Sequence, residues 1–201
     1  MSIILASGSV RRKNLLKKVG VNFIISPAQI EEHHDTNLTP EKLSTHLAEQ
    51  KAFDVCTRAS NSLIIAADTI VSCDGELLGK PSDKDAARNM LSILSGNSHS
   101  VITGVTFVKA DKAGNSEANL SFHEVTKVYF HSLDLYNLDM YLDSDIPYDK
   151  AGGYGIQNGW GALFVESIDG DYYNVVGLPL QKVMIKLKTF APEYLNTNYL
   201  L

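Results

Sequence analysis

The residues best suited to chemistry fall in a few short, well-separated segments. Ser7-Gly8-Ser9-Val10-Arg11-Arg12 combines small hydroxyl residues with two arginines. Where a strand ends in such a turn and enters a helix, free backbone N–H groups and the positive end of the helix dipole face an anion. Two guanidinium groups in the first helical turn add planar donors matched to phosphate. Asp68 stands alone in the apolar run Ile64-Ile65-Ala66-Ala67-Asp68-Thr69-Ile70-Val71. A carboxylate so placed must be paired, bind a metal or lie at a strand end in a cleft, unless it marks a turn or bulge. Lys80 is held between Gly79 and Pro81, a stiff loop suited to a phosphate contact. The adjacent acids Glu31 and Glu32 lie beyond a short apolar run, and with Asp68 they could hold a hard divalent cation through oxygen ligands. In the glycine-rich stretch 147–157, Gln157 ends a loop of close backbone approach and offers a paired donor and acceptor for a base edge.

Each of these features has an ordinary reading. Arginine pairs, adjacent acids and loop lysines are mostly solvated surface. Other chemistries are absent from the chain: no G-x-x-x-x-G-K-[ST] loop occurs, nor a G-x-G-x-x-G turn after a strand. His33, His34, His99, His123 and His131 show no metal-ligand spacing.

The elements that must position these residues follow from apolar periodicity and breaker residues. Residues 3–6 read as a first strand, and 10–19 as a helix closed by Gly20. Residues 23–26 read as a second strand. Thr39-Pro40 opens a helix to about residue 58, an N-cap followed by Pro at the first helical position. Runs 63–67 and 70–73 are β-rich on either side of Asp68, and Asp74-Gly75 is a hairpin turn. A helix capped near Ser82-Asp83 runs to Leu94, with Ala86, Met90, Leu91 and Leu94 on one face and Ser95-Gly96 stopping it. Strands are expected over 100–110, 120–130 and 161–168, and helices over 133–142 and 180–189. Interleaved helices and strands with frequent hairpin signals indicate an α/β protein with a mixed sheet.

Composition narrows the function classes. The 201 residues carry 18 Lys and Arg against 23 Asp and Glu, a formal net charge of −5. That balance argues against a nucleic-acid coat, so any cationic site must be local. A hydrophobic content of 44% excludes intrinsic disorder, and no run of about 18 apolar residues suggests a membrane span. Cys56 and Cys73 are too few for a disulfide framework, and the first residues lack the basic and apolar regions of a signal peptide. A cytoplasmic protein without membrane or nucleic-acid partners is expected.

Together the segments resemble the Maf family of nucleoside triphosphate pyrophosphatases from Ile3 to about Val183. The resemblance rests on Ser7 to Arg12, Ile30-Glu31-Glu32, Leu47-Ala48-Glu49-Gln50-Lys51-Ala52, Ala67-Asp68-Thr69, Gly79-Lys80-Pro81, and Leu94-Ser95-Gly96 with His99. It continues through Thr103-Gly104-Val105, Asp149-Lys150-Ala151-Gly152 to Gln157, and Val176-Gly177-Leu178-Pro179-Leu180. Val10 replaces the family's usual proline, and Asn158 and Trp160 follow Gln157 where the family loop is plainer.

What the resemblance implies is specific. The fold would be similar to that of inosine-triphosphate pyrophosphatases: an elongated, twisted mixed sheet with flanking helices, residues 1–201 forming one Maf-like domain of two lobes around a cleft. The reaction would convert a nucleoside triphosphate to the monophosphate and pyrophosphate with Mg2+ or Mn2+. Arg11, Thr69 and Gln157 match the branch preferring dTTP and UTP over 7-methyl-GTP. Asp68 would be the proton acceptor and, with Glu32, a metal ligand. Ser7, Ser9, Arg11, Arg12, Lys51 and Lys80 would neutralise the triphosphate, and Thr69 and Gln157 would orient the pyrimidine. Family members often form homodimers and clear non-standard nucleotides from the pool. The rival expectation is a nucleotide-binding regulator of septum formation that does not turn its ligand over.

Overall fold

The computed structural model describes residues 1–35, 37–144 and 147–195. The first apolar run forms β1 (Ser2–Leu5), which leads through the Ser7–Ser9 turn into α1 (Val10–Lys18). Two residues make the edge strand β2 (Ile24–Ile25), and α2 (Pro40–Cys56) starts where Thr39 accepts a hydrogen bond from Lys42 N–H. The next strand, β3 (Ser62–Cys73), is continuous through Asp68, where the sequence suggested two separate runs. Its hairpin to β4 (Glu76–Leu78) turns at Asp74 and Gly75, both with positive φ, as a tight two-residue turn requires.

After α3 (Lys84–Leu94) come the long strands β5 (Ser98–Ala110) and β6 (Ser116–Phe130), then α4 (Leu135–Leu142). Asp83 caps α3 by accepting from Ala86 N–H, and the helix buries Ala87, Leu91 and Leu94. Ala86 and Met90, expected in the buried stripe, are only half-buried: Leu91 and Leu94 set a phase that selects Ala87 one turn earlier.

The expected strand over 161–168 is half wrong. Residues Gly159–Phe164 form α5, and β7 begins only at Val165, ending at Asp169. The helical turn brings Gly161 so close to Gly155 that an added Cβ would lie 2.5 Å from the Gly155 carbonyl oxygen, and it buries Phe164. A short helix α6 (Tyr172–Val176), unforeseen in the sequence, precedes α7 (Leu180–Phe190). Asp171 accepts from Tyr173 N–H at 2.7 Å to start it, and the buried Asn174 donates to Val101 C=O and Thr126 Oγ1.

The strands follow the order β2-β1-β3-β5-β6-β7, with β4 paired to β3. Pairing is parallel for β1 with β2 and with β3, and antiparallel for β3 with β4 and β6 with β7, so the sheet is mixed. Two compact units divide the chain: Met1–Asp68, Thr103–Glu124 and the segment from Gly177 form the first, Thr69–Ile102 and Val125–Val176 the second. In the first unit, Ile4, Ile64, Ala66, Val108 and Ala110 from the strands, with Ala6 just past β1, pack on Ala52, Val55 and Cys56 of α2. In the second, the rings of Phe130, Tyr141, Tyr154, Phe164 and His99 meet edge to face or tilted. No helix among the described residues is long and apolar enough to cross a membrane.

The small residues at the helix–sheet contact have a geometric cause. A Cβ at Gly104 on β5 would lie 2.2 Å from the carbonyl carbon of Ser44 on α2 and 2.3 Å from Thr45 N. Backbone atoms cannot yield to that clash, so α2 must move away from the sheet. Gly104→Ala is therefore expected to destabilise the protein by on the order of 3 kcal/mol, an overpacking effect. A urea titration of the two proteins measures it, and an unchanged midpoint would contradict this packing.

Candidate active site

The first unit builds its site where β1 ends beside the middle of its parallel partner β3. The register that pairs Leu5 with Ile65 continues through Ala6 N–H donating to Ile65 C=O at 2.8 Å. It therefore carries Asp68 to the level of the Ser7–Ser9 turn, at the carboxyl end of β1 where ligands of such sheets collect. Ser7 is buried and works as a hub: Ser9 N–H donates to its Oγ at 3.2 Å, and Arg12 Nη1 donates to it at 3.3 Å. Ser9 caps α1, accepting from Arg12 N–H at 3.4 Å. Arg12 Nε also donates to Gly177 C=O at 2.9 Å, so the guanidinium is tied from two sides. Desolvation lowers the Arg12 pKa and the nearby charge of Arg11 adds to this, while Asp68 and Glu32 act in the opposite direction. Arg11 itself is half-buried.

The acids meet on a lysine. Lys51 Nζ lies 2.5 Å from Asp68 Oδ1 and 3.0 Å from Glu32 Oε2. The Lys51 and Asp68 side chains are 13% and 17% exposed and Glu32 36%, which places the pair at the edge of the water rather than in the core. Two carboxylates brought to one cation form a set of hard oxygen donors. The described residues contain no group of three or more His, Cys, Asp or Glu able to hold a metal. Two carboxylates without a third still fit Mg2+, which commonly takes one or two and completes its shell with water and substrate phosphates. Both adjacent acids are exposed, and it is the ion pair to Lys51 that singles out Glu32.

What holds Glu32 there was not foreseen in the sequence. The segment preceding α2 lies along the helix, secured by side chains at helical spacing. Gln50 accepts from His33 N–H and donates to His33 C=O, both at 2.9 Å. Asp54 accepts from Gln29 N–H at 2.9 Å, and Arg58 donates to Ser26 Oγ and Pro27 C=O. Residues 50 and 54 share one face of α2 and Arg58 follows in the turn after it, so a polar i, i+4, i+8 spacing flanking Lys51 was the available signal.

Thr69, Lys80 and Gln157 belong to the second unit. Thr69 is half-buried, whereas Lys80 and Gln157 are exposed. The Gly79–Pro81 turn is tied to the glycine-rich loop by Gly152 N–H donating to Gly79 C=O at 2.9 Å. Gly152 and Gly153 have φ of 70° and 72°, and a Cβ on Gly152 would press on Val71 at 3.2 Å. Gly155 lies between Lys150 and Gln157: its added Cβ would be 2.8 Å from Lys150 Cε and 3.4 Å from Gln157 Nε2. Lys150 is a buried cation absent from the sequence-based candidates, paired with the exposed Asp149. Burial holds the His99 imidazole neutral, lowering its pKa from 6.5 to about 4.

Comparison with known proteins agrees along the chain. Residues 2–190 match the model of the Maf family, described as Maf-like protein. A Bacillus pumilus protein named dTTP/UTP pyrophosphatase is 46% identical over 189 residues, covering 94% of this chain and 96% of that one. A protein of the same name from Syntrophomonas wolfei is 47% identical over 179 residues, covering 89% and 92%. Among solved structures, the Ham1 protein of Staphylococcus aureus aligns with a TM-score of 0.45 at 15% identity, over 65% of this chain and 72% of that one.

Two measurements test this geometry. Gln50→Leu removes both hydrogen bonds to His33, so the His33 amide should exchange with solvent about tenfold faster, the effect of one lost hydrogen bond. Unaltered exchange would show that Gln50 does not hold the segment. The second concerns His99, whose folded pKa of about 4 lies below the ordinary 6.5. Its stabilising contribution is full above pH 6.5 and disappears as the pH falls toward 4. Between pH 7 and pH 4.5 the wild type should therefore lose on the order of 3 kcal/mol more stability than His99→Phe. Parallel acid profiles in urea would disprove it.

Proposed function

The chain belongs to the Maf family, and from that premise we propose that it hydrolyses dTTP and UTP to the monophosphate and pyrophosphate. The observation that carries this reading is the meeting of Asp68, Glu32 and Lys51 in the unit that also holds the Ser7–Arg12 turn. Relatives about as similar as the Bacillus pumilus protein bear the name of that activity over nearly their whole length.

In this reading water attacks the α-phosphorus, the bond to the β-phosphate oxygen breaks, and pyrophosphate leaves with the electron pair. Asp68 accepts the proton of the attacking water. Arg11, Arg12, Ser7 and Ser9 bind phosphate oxygens at the start of α1, and Lys51 and Lys80 neutralise the charge moving toward the leaving group. Arg12 suits the task because its guanidinium is already fixed by Ser7 and Gly177 and need not be ordered when substrate arrives. Glu32 and Asp68 would hold a divalent cation, Mg2+ or Mn2+, which supplies positive charge against the phosphate oxygens and lowers the pKa of water. Thr69 and Gln157 hydrogen-bond the pyrimidine, and a base of the wrong pattern would leave their polar atoms unpaired. Action in the cytoplasm, as one Maf-like domain and as a homodimer, completes the proposal.

Purified protein incubated with dTTP or UTP and Mg2+ or Mn2+ should release pyrophosphate, and a chelator should abolish the release. Asp68→Asn is expected to lower turnover by about 100-fold or more, the scale of a lost general base, while far-ultraviolet circular dichroism stays that of the parent. Near-parental turnover in that variant would remove Asp68 as proton acceptor. A wild type that binds dTTP yet releases nothing with either metal would mark a nucleotide-binding regulator instead.

A further inference from the structure

The second unit contains a buried polar pair that the proposed chemistry does not use. His99 Nε2 and the Tyr154 hydroxyl are 2.7 Å apart, and both side chains are almost fully removed from solvent. The imidazole stands edge-on to Phe130, with ring centroids 4.9 Å apart at 84°, and edge-on to Tyr154 at 5.3 Å. Its other nitrogen, Nδ1, has no hydrogen-bond partner among the described residues. The Tyr154 hydroxyl is thus the group that the imidazole's polar edge serves.

Such a pair is a poor device for stability. Both polar groups are desolvated for one hydrogen bond, and two apolar rings of similar shape would bury as much surface without that penalty. What the pair adds is direction. A hydrogen bond fixes the rotation and depth of the Tyr154 ring, which packing against Phe130 alone leaves free to slide. Tyr154 belongs to the loop of Lys150 and Gln157, and that loop is held at neighbouring points. Tyr141 Oη donates to Gly153 C=O at 3.0 Å, and Gly152 N–H donates to Gly79 C=O. Just beyond Tyr154, Gly155 packs against the Lys150 stem and the Gln157 amide. A slide of Tyr154 would therefore move Gly155, and with it the amide of Gln157.

We propose that His99 is a positioning residue: through the Tyr154 hydroxyl it sets the placement of the 150–157 loop, and so of the Gln157 amide that discriminates the base. The consequence for substrate choice rests on the reading that Gln157 orients the pyrimidine, whereas the placement of the loop does not. His99 acts through Tyr154 and has no contact with substrate in this role.

Tyr154→Phe keeps the ring and deletes the hydroxyl, and His99→Gln keeps a group able to reach it. Hydrogen exchange and steady-state kinetics with UTP and GTP are measured on both, on His99→Leu and on Gln157→Ala. In Tyr154→Phe, amide exchange within 154–157 should accelerate about tenfold, one hydrogen bond's worth, while exchange in β5 and α3 stays at the parental rate. KM for UTP should rise about tenfold with kcat within about twofold, so that the preference for UTP over GTP shrinks. His99→Leu should behave like Tyr154→Phe, and His99→Gln should recover most of the lost preference. Should His99→Leu fail to fold, Tyr154→Phe and His99→Gln decide the matter. Parental exchange in the loop of Tyr154→Phe overturns the proposal. So does faster exchange with KM and preference unmoved, where Gln157→Ala itself shifts them. If Gln157→Ala leaves the preference intact, the base-reading role has failed, and the exchange result alone judges the role of His99.

Discussion

A carboxylate in the middle of a buried strand is tolerated only when a cation is delivered to it, and here the cation arrives on a helix. Asp68 lies on β3 among residues that are almost wholly buried, and Lys51 of α2 brings its ammonium to within hydrogen-bonding distance. The same ammonium gathers Glu32 from the segment before the helix. Without Lys51, the two acids would keep only the longer-range charge of Arg12 and no hydrogen-bonded cation, a costly arrangement at this degree of burial. With it, two oxygen donors and a positive charge are assembled in the unit that holds the N-terminus of α1. In the proposed reading this is where a polyphosphate is bound and split.

The position of α2 is therefore the constraint on which the first unit depends, and several weak preferences enforce it together. Thr39 and Pro40 start the helix, and Ala52, Val55 and Cys56 seat it on the strands. Gly104 lets its backbone approach the sheet closely, and Gln50 and Asp54 on the helix, with Arg58 in the turn after it, tie the acid-bearing segment down. A shift of α2 by the width of a methyl group would draw Lys51 away from Asp68, which stays with the sheet. Packing and charge are thus not separate layers here: the small residues at the contact set the distances over which the ions act.

The second unit solves a different problem. Its loop keeps glycines at positive φ and must still hold a shape. An aromatic cluster does this with three polar tips, His99 Nε2, Tyr154 Oη and Tyr141 Oη, which convert a sliding contact into a fixed one. Residues in this unit also show where periodicity misleads. The run over 161–168 has β-rich composition, yet Gly161 allows a helical turn against Gly155 that no local pattern announces.

By itself the sequence determined the order of most elements and the identity of the chemical groups. Caps at Ser9, Thr39 and Asp83, the Asp74-Gly75 turn and the apolar stripes are local signals, fixed by backbone sterics and hydrogen bonding within a few residues. Ser7, Arg12, Glu32, Asp68 and Lys80 stood out because their types conflict with, or punctuate, the runs around them. Only the tertiary structure decided that Lys51 closes on Asp68 and Glu32 together, that Glu32 rather than Glu31 is the partner, and that Gln50 secures the segment. It also decided that β3 runs unbroken through Asp68. These outcomes depend on strand register and on helix depth above the sheet. Both are set by the sum of many distant packing contacts, and no single stretch of chain encodes them.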